Sequence, residues 1–370
     1  MAQVLYVSKP VAPPWNDSSK NLVRDVAGHL RRHRPIVMGR FGQRAPIAEG
    51  RMEAVYRETS APGFTPSIGD HLRVMQHLLS ERSADLWHFF FAPNAKSSGG
   101  GRFATAIRRV PSVHTVCSLP AENEAARRLV FADTTVALSR HAYERFRDEG
   151  VSANALRLIP PCVPTLEPPT SLERVTLRHQ HDLPEAAPIW IYPGDLELGG
   201  GAEIALQGFA AWNRRDAMLL MVCRRKTPRA DEALSRLRSQ SRRWGIEPQV
   251  RWLGERSDIH ELLALSDFVV IVNRTPYAKM DYPLVALESM CLARPVLVGK
   301  RTPASELAEG GGALAVEMNG EAVAEAIESL STDEHARAKI GSKGRALAAS
   351  RFSPHEVAAA YERLYEEIHA

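Results

Sequence analysis

Three short stretches of this chain carry residue types suited to holding an anion or a sugar. Gly194-Asp195-Leu196-Glu197-Leu198-Gly199-Gly200-Gly201 sets three glycines in front of a helix-forming segment, and glycines there let exposed backbone N–H groups approach a phosphate. Cys223-Arg224-Arg225-Lys226-Thr227 follows the next apolar run and offers cations at what should be the same rim. An ordinary solvated basic loop is the plain alternative. The loop Pro13-Pro14-Trp15-Asn16-Asp17-Ser18-Ser19-Lys20 brings Asn16, Ser18 and Ser19 to a helix start, where they can bond a sugar or phosphate or simply cap the helix. His88 and His114 sit in strand-like runs and are open to either a pocket role or a structural one.

Other chemistries find little support. There is no G-x-S-x-G, and Cys117, Cys162, Cys223 and Cys291 are scattered without CxxC spacing, which argues against zinc and disulfides. Asp195-Leu196-Glu197 has the look of a metal-binding D-x-D, but its place after Gly194 reads as a turn, so no metal is expected. Net charge is +4, with 44% hydrophobic and 24% charged residues over 370 positions, the make-up of a globular protein. No tail of like charge suggests nucleic acid. The longest apolar runs, 218–223 and 268–272, fall far short of the ~20 residues that cross a bilayer. The N-terminus lacks a basic region ahead of a long apolar stretch, so a cytoplasmic location is expected. Arg31-Arg32-His33-Arg34 leaves peripheral contact with a membrane open.

These residues need a scaffold, and the rhythm of the chain supplies one. Strand-like runs at 4–8, 36–38, 86–91, 112–117, 134–138 and 156–159 alternate with helical segments at 18–30, 71–80, 103–109, 122–131 and 140–149. A proline-rich stretch follows, with Pro160, Pro161, Pro164, Pro168, Pro169 and Pro184. The rhythm then resumes, with strands at 189–192, 218–223, 250–253, 268–272 and 295–298 and helices at 203–212, 230–244, 259–265 and 285–293. Alternation of this kind predicts parallel sheets covered on both faces. The chain is thus read as α/β with two doubly wound Rossmann-like domains, 1–170 and 171–353, and a last helix, 354–370, packing back on the first. Ligands of such sheets lie outside the carboxyl ends of the strands, so two such domains are expected to face each other across a ligand cleft.

Lys279-Met280-Asp281-Tyr282-Pro283-Leu284-Val285-Ala286-Leu287-Glu288-Ser289-Met290, followed by Arg294-Pro295-Val296-Leu297-Val298, resembles the donor-binding segment of family 4 glycosyltransferases of the GT-B fold, E-G-F-G-L-x-x-L-E-A-M-A before G-x-P-V-I. Asp85-Leu86-Trp87-His88, Ala132-Asp133 with Ser139, Ile159-Pro160-Pro161, and Leu253-Gly254 with Ser266-Asp267 are similar to further family landmarks in the same order. The resemblance implies a retaining transferase that moves a sugar from a nucleotide diphosphate. Glu288 would grip the ribose, since a carboxylate near a helix start can accept both hydroxyls, with Leu284 and Val285 beside it at the nucleotide. A glutamate stabilised by the helix dipole is the bland alternative.

Departures from the family pattern sharpen the expectations. Its first glutamate falls on Met280, so Asp281 and Lys279 are the candidates to act at the reacting centre, unless they form a solvated loop pair. Its glycine-rich loop carries an arginine and a lysine for the diphosphate, and both are missing from the loop containing Gly194 and Gly200. Arg224 and Lys226 are the expected replacements, with Arg225 out of phase. The family histidine falls on Cys117, leaving His88 and His114 as candidates for the sugar pocket and Asn16, Ser18 and Ser118 for the acceptor or sugar side.

The reading that results is a metal-independent retaining glycosyltransferase. A nucleotide sugar serves as co-substrate without a further cofactor, and the acceptor is a small molecule, glycan or lipid-linked species. A nucleotide-sugar epimerase of the same fold and a non-catalytic binding protein are the rivals.

Overall fold

Apolar strands shielded on both faces organise the computed structural model, which describes residues 1–43, 46–57, 66–120, 124–275 and 279–369. The chain divides into two units, Met1–Pro164 with Tyr277–Leu284 and Arg351–Ala370, and Thr165–Pro276 with Val285–Ser350.

In the first unit, β1 (Gln3–Val7), β2 (Arg34–Arg40), β3 (Arg51–Tyr56), β4 (Leu86–Phe91), β5 (Ser112–Val116), β6 (Thr134–Ala137) and β7 (Leu156–Leu158) form a sheet of order β3-β2-β1-β4-β5-β6-β7. Every pairing in it is parallel. The helices are α1 (Ser18–Ala27), α2 (Ile68–Ser80), α3 (Ala95–Arg108), α4 (Ala126–Leu129) and α5 (Arg140–Asp148). Strand β4 reads LWHFFF and is buried nearly throughout, as a central parallel strand must be.

Several boundaries differ from the sequence expectation for local reasons. Asp17, rather than a serine, caps α1 by accepting from the backbone N–H of Ser19. Helix α3 starts at Ala95, not near 103, because Asn94 accepts from the N–H groups of Lys96 and Ser97 and the following glycines stay helical. Part of the expected helix 122–131 lies outside the described residues, and its described portion is α4. Edge strand β3 went unrecognised, since RMEAVY is exposed over much of its length.

The second unit continues with α6 (Ser171–Gln180), β8 (Ile189–Asp195), α7 (Gly201–Trp212), β9 (Met218–Arg224), α8 (Ala230–Arg243), β10 (Val250–Trp252), α9 (Ile259–Leu265), β11 (Phe268–Ile271), α10 (Leu284–Cys291), β12 (Val296–Gly299), α11 (Glu306–Glu309), β13 (Leu314–Val316), α12 (Gly320–Thr332) and α13 (Glu334–Arg351). Its sheet runs β10-β9-β8-β11-β12-β13, again parallel. Strand order reverses direction between β8 and β11, which makes their carboxyl ends the switch point where a doubly wound sheet takes its ligand. A core including Trp190, Phe209, Leu219, Val270 and Ile327 holds the layers together. Helix α6 lies within the proline-rich stretch, where the sequence predicts no helix. Its capping box, Thr170 with Glu173, was the signal for it.

The final helix, α14 (Pro354–His369), belongs to the first unit. Glu362 accepts from the backbone N–H of Arg31 at 2.6 Å, and Arg32 reaches Glu366 at 2.7 Å. Part of the basic cluster 31–34 is therefore engaged in seating this helix. No helix among the described residues is long and apolar enough to cross a membrane.

Candidate functional site

At the switch point of the second unit, β8 ends in Gly194-Asp195 and the chain turns through Gly199 and Gly200, with φ of +77° and +70°, into α7. Glycine is required at the left-handed positions. Beneath the turn lies the buried ring of Tyr192, whose hydroxyl donates to the Asp195 carbonyl at 3.0 Å. A Cβ on Gly201 would stand 2.5 Å from Asn273 Oδ1 and 2.7 Å from that hydroxyl. The loop is thus held tight against the strand ends. Gly200 caps α7 with no side-chain bond; the Ala202 N–H meets the Tyr192 hydroxyl, and a helix start of this kind favours an anion beside it.

The cation beside this turn comes from the strand across the switch point. Arg274, just after β11, donates its backbone N–H to the Gly199 carbonyl at 2.8 Å, and its Nη1 lies 2.8 Å from where a Gly200 Cβ would be. The same nitrogen donates to Glu203 in the first turn of α7 at 2.7 Å. That hydrogen bond holds the Glu203 carboxyl below its ordinary range. Sequence reasoning missed Arg274 because it sought cations next to β8 on the β9 side only.

Arg224 and Lys226 do stand at the carboxyl edge, with Arg224 opposite Asp195 in the β8–β9 register. However, Arg224 donates to Asp195 Oδ1 at 2.8 and 3.0 Å, and Lys226 Nζ lies 3.8 Å from Oδ2. Asp195 is 2% exposed, so the two cations balance a buried carboxylate. Arg225 turns away to Asp231 at 2.6 Å.

Helix α10 carries Leu284 and Val285 in its first turn and Glu288 one turn further on, so Glu288 does not occupy the first turn. The carboxylate is nearly buried, and His260 of α9 approaches it at 3.5 Å. Leu284 is buried and Val285 half-buried. His260, half-exposed, had no signature in the sequence.

Asp281 lies in the segment that belongs to the first unit. It is buried and accepts from Ser139 Oγ at 2.6 Å, while Ser139 Oγ accepts from Ala142 N to cap α5. The carboxylate therefore sits at a helix N-terminus, where the dipole favours it. Its neighbour Met280 is buried and Lys279 half-buried.

His88 departs most from the sequence expectation. It is fully buried, with Nδ1 2.6 Å from the Tyr365 hydroxyl and Nε2 2.8 Å from Thr115 Oγ1. Thr115 in turn meets the Tyr361 hydroxyl at 3.0 Å. With both ring nitrogens engaged, His88 ties α14 to the sheet and is closed to a substrate. His114 is also buried, near the Phe91 carbonyl at 3.2 Å. Asn16 and Ser18 are half-buried at the start of α1, and Ser118 is buried just past β5.

Burial pushes His88 well below its ordinary value and His114 down to about 4. Unfolding lets both take up protons below their unfolded value of about 6.5. The stability they contribute is complete above that pH and is lost as pH falls toward the folded values, about 3 kcal/mol for His114 alone. Urea titrations between about pH 7 and pH 5 should show this slope, reduced by roughly one proton in His114→Gln. An unchanged slope in the variant would contradict it.

One group of potential metal ligands exists among the described residues, His181, Asp258 and Glu261, with ligand atoms within 4.8 Å of one another. Asp258 there is already gripped by Arg256 at 2.8 Å.

Residues 173–347, most of which fall in the second unit, match the family model for Glycosyl transferases group 1. No curated protein matches the chain. Among solved structures, the chain is similar to HepE of Anabaena in complex with UDP and glucose, at TM-score 0.80, 20% identity and coverage of 99% of this chain and 100% of that one. It is also similar to sucrose-phosphate synthase from Thermosynechococcus elongatus, at 0.77, 18%, 99% and 99%. A glycosyltransferase from Rickettsia africae gives 0.75, 17%, 99% and 98%. These likenesses show the fold: two Rossmann-like domains of the GT-B type.

Proposed function

We propose that this chain is a glycosyltransferase that takes a sugar from a nucleotide diphosphate and passes it, with retention of configuration, to an acceptor hydroxyl. The observation that carries the reading is the arrangement around the switch point of the second unit. The start of α7 and Arg274 stand by the glycine turn, and α10 contributes a nearly buried carboxylate, Glu288. In this reading Glu288 accepts the ribose hydroxyls, with His260 beside it. The α7 N–H groups and Arg274 take the diphosphate, and Arg224 and Lys226 add positive potential behind Asp195. Leu284 and Val285 start the helix that presents Glu288. The acceptor is assigned to the first unit, with Asn16, Ser18 and Ser118 as its polar contacts. Lys279 and Asp281 are assigned to the reacting centre, Asp281 as a fixed charge held by Ser139.

Retention without a protein nucleophile needs only that the departing phosphate oxygen take the acceptor proton on the same face. The protein then supplies position and electrostatic stabilisation. His88 and His114, kept neutral by burial, are given no part in this step. Metal independence is part of the proposal: transfer should survive EDTA. Loss of turnover that added metal restores would count against it.

Charge balance favours a second reading, a non-catalytic nucleotide-sugar binder. Arg274 is matched by Glu203, and Arg224 with Lys226 by Asp195, so the pocket offers little free positive charge. Donor hydrolysis and transfer measured over a panel of nucleotide sugars separate the two. Release of nucleoside diphosphate supports the transferase; saturable binding without any release supports the binder.

A further inference from the structure

A cluster of arginines in the second unit lies at the other edge of its sheet, where the strands begin. Asp267 directly precedes β11 and Arg294-Pro295 directly precede β12. Together with Arg174 of α6 and one face of α13 they line a groove of about 620 Å³, to which α13 contributes Arg337, Ser342 and Arg345.

The pairing there is uneven. Asp267 accepts from Arg174 at 2.5 Å, from Arg178 at 2.9 Å and from the backbone N–H of Ile189 at 2.7 Å. Arg178 is structural, since it also bonds the carbonyls of Leu265, Glu185 and Ala187. Arg294 reaches only main-chain oxygens, Leu292 at 3.0 Å and Ser266 at 3.4 Å. Among the described residues no carboxylate pairs with it. Two guanidinium groups therefore share one carboxylate, and Arg294 beside them is left without one. Arg337 and Arg345 face the same space, and their acidic partners, Glu334 and Glu167, are 88% and 73% exposed, where an ion pair holds little. Burial and the neighbouring arginines push Arg294 down to about 10.

Clustered cations taken out of water need a counter-charge. From the groove we infer that it is a binding site for a small phosphate-bearing molecule, a phosphate monoester with a compact organic body, independent of the nucleotide site. Two features set the ligand class. The groove's own charged lining, Arg174, Arg294, Arg337 and Arg345 against Asp267 and Glu334, leaves an excess of two positive charges, which suits a dianionic phosphate better than a single carboxylate. Guanidinium forks bind phosphate oxygens in pairs. The volume falls within the ~300–1,000 Å³ range of small-molecule sites, leaving space beyond the phosphate beside the α13 alanines, Ala338, Ala346 and Ala349.

The test is calorimetric titration of the full chain with inorganic phosphate at low salt, on the wild type and on Arg337→Glu, Arg294→Gln and Arg225→Ala. Saturable binding weakened about tenfold or more by Arg337→Glu and Arg294→Gln, and unchanged in Arg225→Ala, whose side chain pairs with Asp231, is the expected result. Arg337 is partly exposed, so its variant reports even if Arg294→Gln fails to fold. No saturable binding, or binding unaffected by Arg337→Glu, would overturn the inference.

Discussion

Glu288→Ala should weaken binding of a nucleoside diphosphate by about a hundredfold or more while leaving the fold intact. Two charge-assisted hydrogen bonds to ribose hydroxyls would be lost, each worth about 1.5–3 kcal/mol. The protein gives this carboxylate little in return for its burial: His260 stands 3.5 Å away, and no other ionic partner is present among the described residues. A nearly buried carboxylate without strong partners costs stability, so the variant's melting temperature should be unchanged or higher. That combination, weaker binding with equal or greater stability, marks a residue placed for a ligand rather than for the fold. Calorimetry with a nucleoside diphosphate and a thermal melt check both parts. Unchanged affinity would remove Glu288 from the site, and a large loss of stability would make it structural.

Arg274→Ala should have the largest effect on kcat/KM among the cations at the carboxyl edge, about tenfold to a few hundredfold. Arg274 stands on the β11 side of the switch point, against the glycine turn and the start of α7, where a phosphate accepting from the helix N–H groups would meet it. Arg224→Ala should act differently, lowering stability by about 1–3 kcal/mol because buried Asp195 loses its two-nitrogen partner, with a smaller effect on turnover. Arg225→Ala should be mild, since its pair with Asp231 is exposed. Glu203→Gln, which removes the carboxylate competing for Arg274, should tighten diphosphate binding. Equal kcat/KM for Arg274→Ala and Arg225→Ala would contradict this assignment, as would weaker binding in Glu203→Gln.

The alternation of strands and helices was legible because apolar runs such as 86–91 and 218–223 leave no doubt about burial on both faces. The right-handed rule for parallel crossovers sets the face on which each helix packs, but the order of the strands comes from the structure. Short or polar elements were not legible: β3 is an exposed edge, and the signature of α6 is a capping box inside a proline-rich stretch. The glycine turn was legible because its left-handed backbone restricts residue type, while the role of Glu288 is proposed from carboxylate chemistry. The pairing of cations was not legible. Arg224, Arg225, Lys226 and Arg274 are equivalent as letters. Only the register that sets Arg224 opposite Asp195, and the strand order that sets β11 beside β8, sort them. Likewise His88 looked available for chemistry until Tyr365 and Thr115, distant in sequence, occupied both its nitrogens.

A crystal structure of the chain with a nucleoside diphosphate bound tests the central claim most directly. The account predicts ribose hydroxyls on Glu288, phosphate oxygens against the first N–H groups of α7, and the Arg274 guanidinium turned from Glu203 onto a phosphate. Nucleotide bound with its ribose away from Glu288, or seated in the arginine groove at the amino ends of the strands with the glycine turn empty, would contradict it.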